Sequence, residues 1–458
     1  MQTSCAKVRE RVAPAPAKAV GLWGALSTNV LNMVGIGPFL TIPLALAAMS
    51  GPQAMIGWIL GAALSVCDGM VWAELGSAMP LEGGPYHYLL QGFGPRGWGR
   101  VFSFLFLWQS ILLGPLSIAS GAVGFADYTK FLIPSLHGGQ LIAVAILVCV
   151  LNTFLVYRNI RSIARLSIIV AVVVFASMIW IVFAGATHFH PALAFDFPPN
   201  AFRFSTGFLA GLGSATLIAA YDYGGYYNVC LIGAEVVRPK VTIPRSILWA
   251  IAIVAVLYLV MNLAIIGVVP WREAMQSKAI VADFMDRIYG SWAGRLVAVL
   301  ILIASFGSVF AVLLGYSRIP YAAARDGRFF SVFARLHPRG GFPHISVLAL
   351  GVCSALACFI SLGGLISALI VTQTLLQFMG QCVAVILLRR KRRETGGSYR
   401  MPLFPLPALL ALGGWTYIVV TSGARYILMA FGLMLTGVLV YLLRARKRFE
   451  WPFGGAEA

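Results

Sequence analysis

The chain has 458 residues, 60% of them hydrophobic and only 11% charged, with a mean hydropathy of +0.87. Soluble domains carry about 25% charged residues, so a soluble enzyme of this length is excluded, and so is a disordered chain. The formal net charge of +19 is spread over short segments between apolar runs; this points to orientation in a lipid bilayer rather than to a nucleic-acid partner.

Residues 1–19 are basic and lack an apolar core followed by a cleavage site, so they read as a cytoplasmic tail. A spanning helix needs about 20 apolar residues. Runs of that kind cover 20–48, 55–79, 98–125, 141–156, 166–186 and 208–234, then 247–269, 296–314, 345–362, 366–388, 403–420 and 426–443, twelve in all. After the second run, LEGGPYHYLLQGFGP has the aromatic, partly polar character of an interfacial segment. WREAMQSKAIVADFMDRIYG spaces its apolar residues as an external amphipathic helix, and RDGRFFSVFARLHPRGGFP reads as a basic inner loop with a short surface helix. Residues 444–458 form a second cytoplasmic tail.

Twelve spans with both termini inside leave only Lys130, Arg203, Arg272, Lys278, Arg287, Arg295 and Arg425 outside, out of 34 lysines and arginines. That bias is the positive-inside pattern, and a missed helix would scramble it. All cysteines but Cys5 lie in apolar runs and read as small packing residues, with no metal spacing or disulfide framework.

Two spans are interrupted. The first contains NMVGIGPFLTIP, with Gly35, Gly37, Pro38 and Pro43, and the sixth reads GLGSATLIAAYDYGGYYNVCLIGAE, with Gly224 and Gly225 near its middle. Glycine and proline at mid-membrane predict local unwinding, and breaks five helices apart are expected of inverted five-helix repeats with a substrate site between them. N–H groups at Val34, Gly35, Ile36 and Gly37 would meet a carboxylate at the start of a half-helix. Carbonyls near Asn32, Met33 and Tyr221 would meet an ammonium.

Asp222, beside the second break, is costly in a membrane by at least ~2.5–3.5 kcal/mol. It either binds a substrate amine, carries a coupling proton, or pins the broken helix through hydrogen bonds. Asp68, two turns before Glu74, is either a second proton or amine site or a solvated acid near the inner interface. Glu74 and Glu235 lie toward the inner ends, where arginines such as Arg161 or Arg318 would make gate latches. Gln373, Gln377 and Gln381 form one polar stripe that should face the bundle. Ser305 and Ser308 are possible sodium ligands or small packing residues. The sequence carries no metal-ligand spacing, no P-loop, no nucleophile elbow and no redox motif, so no cofactor and no enzymatic activity are expected.

YDYGGYYNVCLIGAEVVRPKVTIPRSI resembles the sixth-helix signature of amino acid–polyamine–organocation (APC) superfamily permeases. AELGSAMPLEGGPYHYLLQGFGP, YSRIPYAAARDG and SYRMPLFPLPALLALGGW are similar to the same family, in the same order. The resemblance implies an all-α membrane protein with a LeuT-like fold: ten helices in two inverted repeats (residues 20–402) and two additional helices (403–443). It also implies that Tyr221 is an aromatic gate. The family's first-helix G-S-G-I-F stands here as Gly35-Ile36-Gly37-Pro38-Phe39, and with SVCDGMVWAEL this looks closer to the plant polyamine-uptake branch. Val174 occupies a position where some proton-coupled members carry lysine. The expectation is a secondary transporter of amino acids or related organic amines in the plasma or inner membrane, with proton favoured over sodium as the coupling ion. A polyamine transporter and a non-transporting nutrient sensor are the alternatives.

Overall fold

The computed structural model describes residues 20–35, 37–81, 83–158, 163–325, 327, 329–337, 342–390, 399–448 and 451–454. The N-terminal tail, Ile36, Arg161 and part of the basic inner loop lie outside the described residues. Each of the twelve apolar runs becomes helix. The first run is α1 (Leu22–Met33) and α2 (Ile42–Met49), bent by 62° at the break. Then follow α3 (Met55–Ala78), the interfacial α4 (Pro85–Phe93), α5 (Trp98–Leu132), α6 (Gly139–Arg158) and α7 (Ile163–Thr187). A short α8 (Pro191–Ala194) precedes α9 (Thr206–Tyr223) and α10 (Asn228–Leu231), the two parts of the interrupted sixth run. Beyond α11 (Pro239–Ile266), the segment expected to be external forms α12 (Trp271–Ala274) and α13 (Ile280–Tyr289). The last group is α14 (Ser291–Arg325), α15 (His344–Ala357), α16 (Leu362–Gln373), α17 (Met379–Arg390), α18 (Leu406–Thr421) and α19 (Ala424–Arg448).

Among the described residues seven helices are long and apolar enough to cross a membrane, or eight with the bent pair taken as one span, while Val172–Thr187 within α7, α15 and α18 are shorter apolar helices. A count of twelve spans therefore leans on the alternation of charge, not on length alone. Helices suited to lipid show apolar residues on both faces. Val172, Ile179 and Phe183 of α7 are more than 60% exposed, whereas Met178, Ile181 and Ala184 are buried in the bundle. Outside the bundle the pattern changes to that of a surface helix. In α13, Ile280, Val281, Phe284 and Met285 are buried and the helix packs on α14, while Asp286 and Arg287 face outward, as expected of an amphipathic segment. The expected helix of the basic loop is only a 3-10 turn at Ser331–Ala334, with no residue buried.

The packing exchanges partners between the halves. α3 packs on α9 as α11 packs on α1, α5 on α16 as α14 on α7, and α3 on α17 as α11 on α7. Three pairs join corresponding helices directly: α3 with α11, α5 with α14, and α6 with α15. Such matched pairings are expected of two copies of one five-helix unit. Both interrupted helices thereby come to the middle of the bundle. Val20 and Val236 add a parallel bridge, with the Val20 N–H donating to the Glu235 carbonyl at 3.1 Å and the Val237 N–H to the Val20 carbonyl at 2.9 Å. No strand occurs among the described residues.

Candidate functional site

The two breaks meet backbone to backbone. α1 stops at Met33, its last turn closed by the Val34 N–H donating to the Val30 carbonyl at 2.8 Å. The chain then passes through a tight 3-10 turn at Gly37–Phe39 into α2. α9 stops at Tyr223, and the Gly224 N–H donates to the Tyr221 carbonyl at 3.2 Å. Gly225 follows with φ +113°, and a Cβ there would stand 2.8 Å from the Asn32 carbonyl carbon, 2.9 Å from its oxygen and 3.0 Å from the Met33 nitrogen. Only glycine allows both that φ and that approach. Sequence reading placed the weight on Gly224, but its φ is −57° and an added Cβ would meet nothing nearer than 3.2 Å. Gly225 is the residue that lets the broken helices touch.

This contact redistributes the expected backbone groups. The N–H of Val34 is used within α1, which leaves those of Gly35 and Gly37 without a backbone partner among the described residues. The Met33 carbonyl accepts from the Tyr258 hydroxyl at 2.6 Å, and the Tyr221 carbonyl is taken by Gly224. Asn29, which sequence reading passed over, holds the other side of the junction: its Oδ1 accepts from the Val229 N–H at 3.0 Å, near the start of α10. The overlooked signal was an asparagine within a mostly apolar span, since buried polar side chains usually find at least one hydrogen-bond partner.

Asp222 is 2% exposed. Its Oδ2 accepts from the Thr41 hydroxyl at 2.7 Å and from the Trp58 indole N–H at 3.2 Å. Its Oδ1 is buried with no hydrogen-bond partner among the described residues and lies 2.8 Å from where a Cβ on Gly37 would be. The same glycine faces the Tyr221 ring, 3.1 Å from that Cβ, and the Tyr221 hydroxyl shares a hydrogen bond with Ser120 of α5 at 3.0 Å. Gly37, Tyr221 and Asp222 thus come together at the first break. On the other side, a Cβ on Gly35 would lie 3.7 Å from the Ser308 hydroxyl. A buried acceptor left without a donor is costly, so Asp222 Oδ1 is suited to a proton or a cationic group.

Asp68 does not join this group. It is fully buried in a cage of donors: the Tyr226 hydroxyl at 2.6 Å on Oδ2, the Trp415 indole at 3.0 Å on Oδ1, and the Cys382 thiol at 3.8 Å. A solvated acid at the inner interface is therefore corrected to a buried anchor that ties the residue after Gly225 to α3 and α18. Gln373 and Gln377 are buried as the polar stripe required. The Gln373 amide donates to the Tyr227 hydroxyl at 2.7 Å and to Gln377 at 3.3 Å, and the amide of buried Gln381 has no partner among the described residues. Ser305 donates to the Gly121 carbonyl at 2.9 Å, which commits its proton to helix packing between α14 and α5. Among the described residues no three His, Cys, Asp or Glu side chains cluster as a metal site.

The expected latches are also redrawn. Glu74 pairs with Arg389 of α17, both guanidinium contacts at 2.5 Å, and accepts from the Met401 N–H at 2.8 Å. Arg318 is not its partner. Glu235 enters through its backbone carbonyl, and its carboxylate has no ion pair among the described residues. Removing one member of a buried pair strands the other. Arg389→Ala is therefore expected to destabilise the protein by about 3 kcal/mol, the low end for a buried pair, because Arg389 is 27% exposed. A thermal unfolding scan in detergent should show the loss, with Glu74→Gln/Arg389→Ala recovering part of it; an unchanged Tm for Arg389→Ala would refute this.

Residues 20–443 match the profile of a family described as amino acid permease. The chain is 26% identical over 453 residues to the serine/threonine exchanger SteT of Bacillus subtilis, covering 94% of this chain and 98% of that relative. It is 29% identical to the human large neutral amino acids transporter small subunit 2, covering 93% and 80% of the two chains. It is 27% identical to the human Asc-type amino acid transporter 1, covering 93% and 82%.

Proposed function

The chain belongs to the amino acid permease family, and on that premise we propose that it moves a neutral amino acid across the membrane by alternating access at the junction of the two breaks. The observation that carries the reading is the meeting of the two breaks, Gly225 against Asn32 and Gly37 against the unpartnered Oδ1 of Asp222. The substrate carboxylate is held by N–H groups of residues 35–37 and the ammonium by the second lone pairs of the Met33 and Tyr221 carbonyls, at the ends of α1 and α9. Tyr221 covers the bound molecule, and Asp222 carries the coupling proton. Proton is preferred to sodium because Asp222 offers a titratable oxygen beside Gly37 at the first break.

Relatives named for serine/threonine and for large neutral amino acids support a zwitterionic substrate. A polyamine has no carboxylate to place on these N–H groups. Residues 20–402 form the transporting core of ten helices and residues 403–443 the two additional ones. Both termini face the cytoplasm in this reading, which the distribution of arginine and lysine supports.

Uptake into proteoliposomes tests the reading. Serine, threonine, leucine and putrescine would be offered under an inward proton gradient, an inward sodium gradient or neither. At least one amino acid is expected to accumulate with the proton gradient, and putrescine is not. A protein that binds an amino acid but never moves it would be a sensor, and uptake of putrescine alone would restore the polyamine reading. Orientation is checked separately: reporters fused after Arg400 and at the C-terminus should both read cytoplasm, and an external signal at either would overturn the twelve-span count.

A further inference from the structure

Pro43 leaves a gap in the first broken helix that another helix fills. In a continuous helix the Phe39 carbonyl would accept from the N–H of residue 43, but proline has none. Phe39 is fully buried, where a carbonyl without a donor is costly. The missing donor comes from α5. The Tyr128 hydroxyl, itself fully buried, donates to the Phe39 carbonyl at 2.8 Å. One turn earlier on α5, a Cβ on Gly124 would stand 2.2 Å from Leu40 Cδ1, so this helix lies directly against the same stretch of chain.

That stretch carries the groups a transport site must place accurately. The Leu40 and Thr41 N–H groups both donate to the Gly37 carbonyl, at 2.8 and 3.1 Å, and the Thr41 hydroxyl donates to Asp222 Oδ2 at 2.7 Å. A shift of Phe39 therefore moves Gly37 and Thr41 together, and with Thr41 the donor that occupies one oxygen of Asp222 and leaves the other open. Tyr128 also looks the other way. Its hydroxyl lies within hydrogen-bonding reach of the Val281 backbone N–H in the first turn of α13, a position where helix N–H groups lack intrahelical partners. The preceding residue, Asp127, pairs with Lys278 at 3.7 Å, and α12 packs on α2. We propose that Tyr128 is a positioning residue for transport, which holds residues 37–41 in register with Asp222 and, with the Asp127–Lys278 pair beside it, joins them to the α12–α13 segment. This role rests on the transport reading above.

Tyr128→Phe keeps the ring and removes only the donor. Tyr417→Phe is its control, because the Tyr417 hydroxyl donates to the Leu209 carbonyl at 2.6 Å, at the opposite end of α9 from the break. Uptake into proteoliposomes is measured with whichever amino acid the wild-type protein accumulates. Tyr128→Phe is expected to raise KM about tenfold with Vmax held within about twofold, while Tyr417→Phe leaves KM unchanged. Hydrogen–deuterium exchange needs no substrate, and peptides covering residues 33–46 should exchange faster in Tyr128→Phe and not in Tyr417→Phe. Lys278→Gln, at a side chain 67% exposed, should raise KM about two- to threefold, and it decides the matter if Tyr128→Phe fails to fold. An unchanged KM in a folded Tyr128→Phe protein would overturn the proposal, and with faster exchange it would leave Tyr128 a structural strut only. An equal rise of KM in Tyr417→Phe would overturn it as well. If the wild-type protein accumulates no amino acid, the transport reading falls, and the exchange measurement alone decides whether Tyr128 holds the turn.

Discussion

Gly225→Leu is expected to eliminate transport while leaving the protein inserted in the membrane. The backbone at this position has φ +113°, a region that L-residues enter at a cost of about 1–2 kcal/mol. The larger effect is steric. The added Cβ would press on the Asn32 carbonyl and the Met33 nitrogen, all within 3.0 Å, and these are backbone atoms that cannot rotate aside as a side chain can. α10 and the end of α1 must then separate, carrying with them the Asn29–Val229 hydrogen bond. A displacement of about 1 Å in a positioned site typically costs two orders of magnitude in rate, so uptake in proteoliposomes should fall about 100-fold or more. Gly224→Leu is the internal comparison. Its φ of −57° suits any residue, and the added Cβ has only helix carbonyls nearby, at 3.2 and 3.5 Å, so a milder loss is expected. Wild-type uptake by a well-folded Gly225→Leu protein would remove this junction from consideration.

With Asp222→Asn, substrate binding should survive and gradient-driven accumulation should disappear. An amide oxygen can still accept from Thr41 and Trp58, so the break keeps its local geometry. What is lost is an oxygen able to take and release a proton. A neutral amino acid held by backbone groups at both ends would register the change only in coupling. A substrate whose ammonium pairs with Asp222 would behave differently, because stranding one partner of a buried pair costs about 3–5 kcal/mol, or two to three orders of magnitude in affinity. Binding isotherms alongside uptake under a proton gradient separate the two cases. If neither quantity moved, Asp222 would be a hydrogen-bonded strut for Thr41 and Trp58 and no part of the transport cycle.

Much of this architecture was legible without coordinates, because it follows from forces that act locally or on one axis. Glycine and proline interrupt a helix wherever they concentrate, so the breaks at residues 34–38 and 224–225 were readable from composition. Apolar length marks the runs that become helix. The inward-facing glutamines followed from the cost of exposing amides to lipid. What only the tertiary structure decided is which of these groups meet. Asp68 and Asp222 look alike in the sequence, both aspartates within apolar helices. Yet one is saturated by Tyr226 and Trp415 and the other keeps an oxygen beside Gly37. Glu74 was matched to the wrong arginine because its partner, Arg389, lies 315 residues away. Gly224 was favoured over its neighbour until Gly225 was seen against Asn32. The physical reason is common to all three: hydropathy and charge specify how deep a residue lies, but the direction in which a side chain points across the bundle is set by helix rotation and packing against partners remote in the chain.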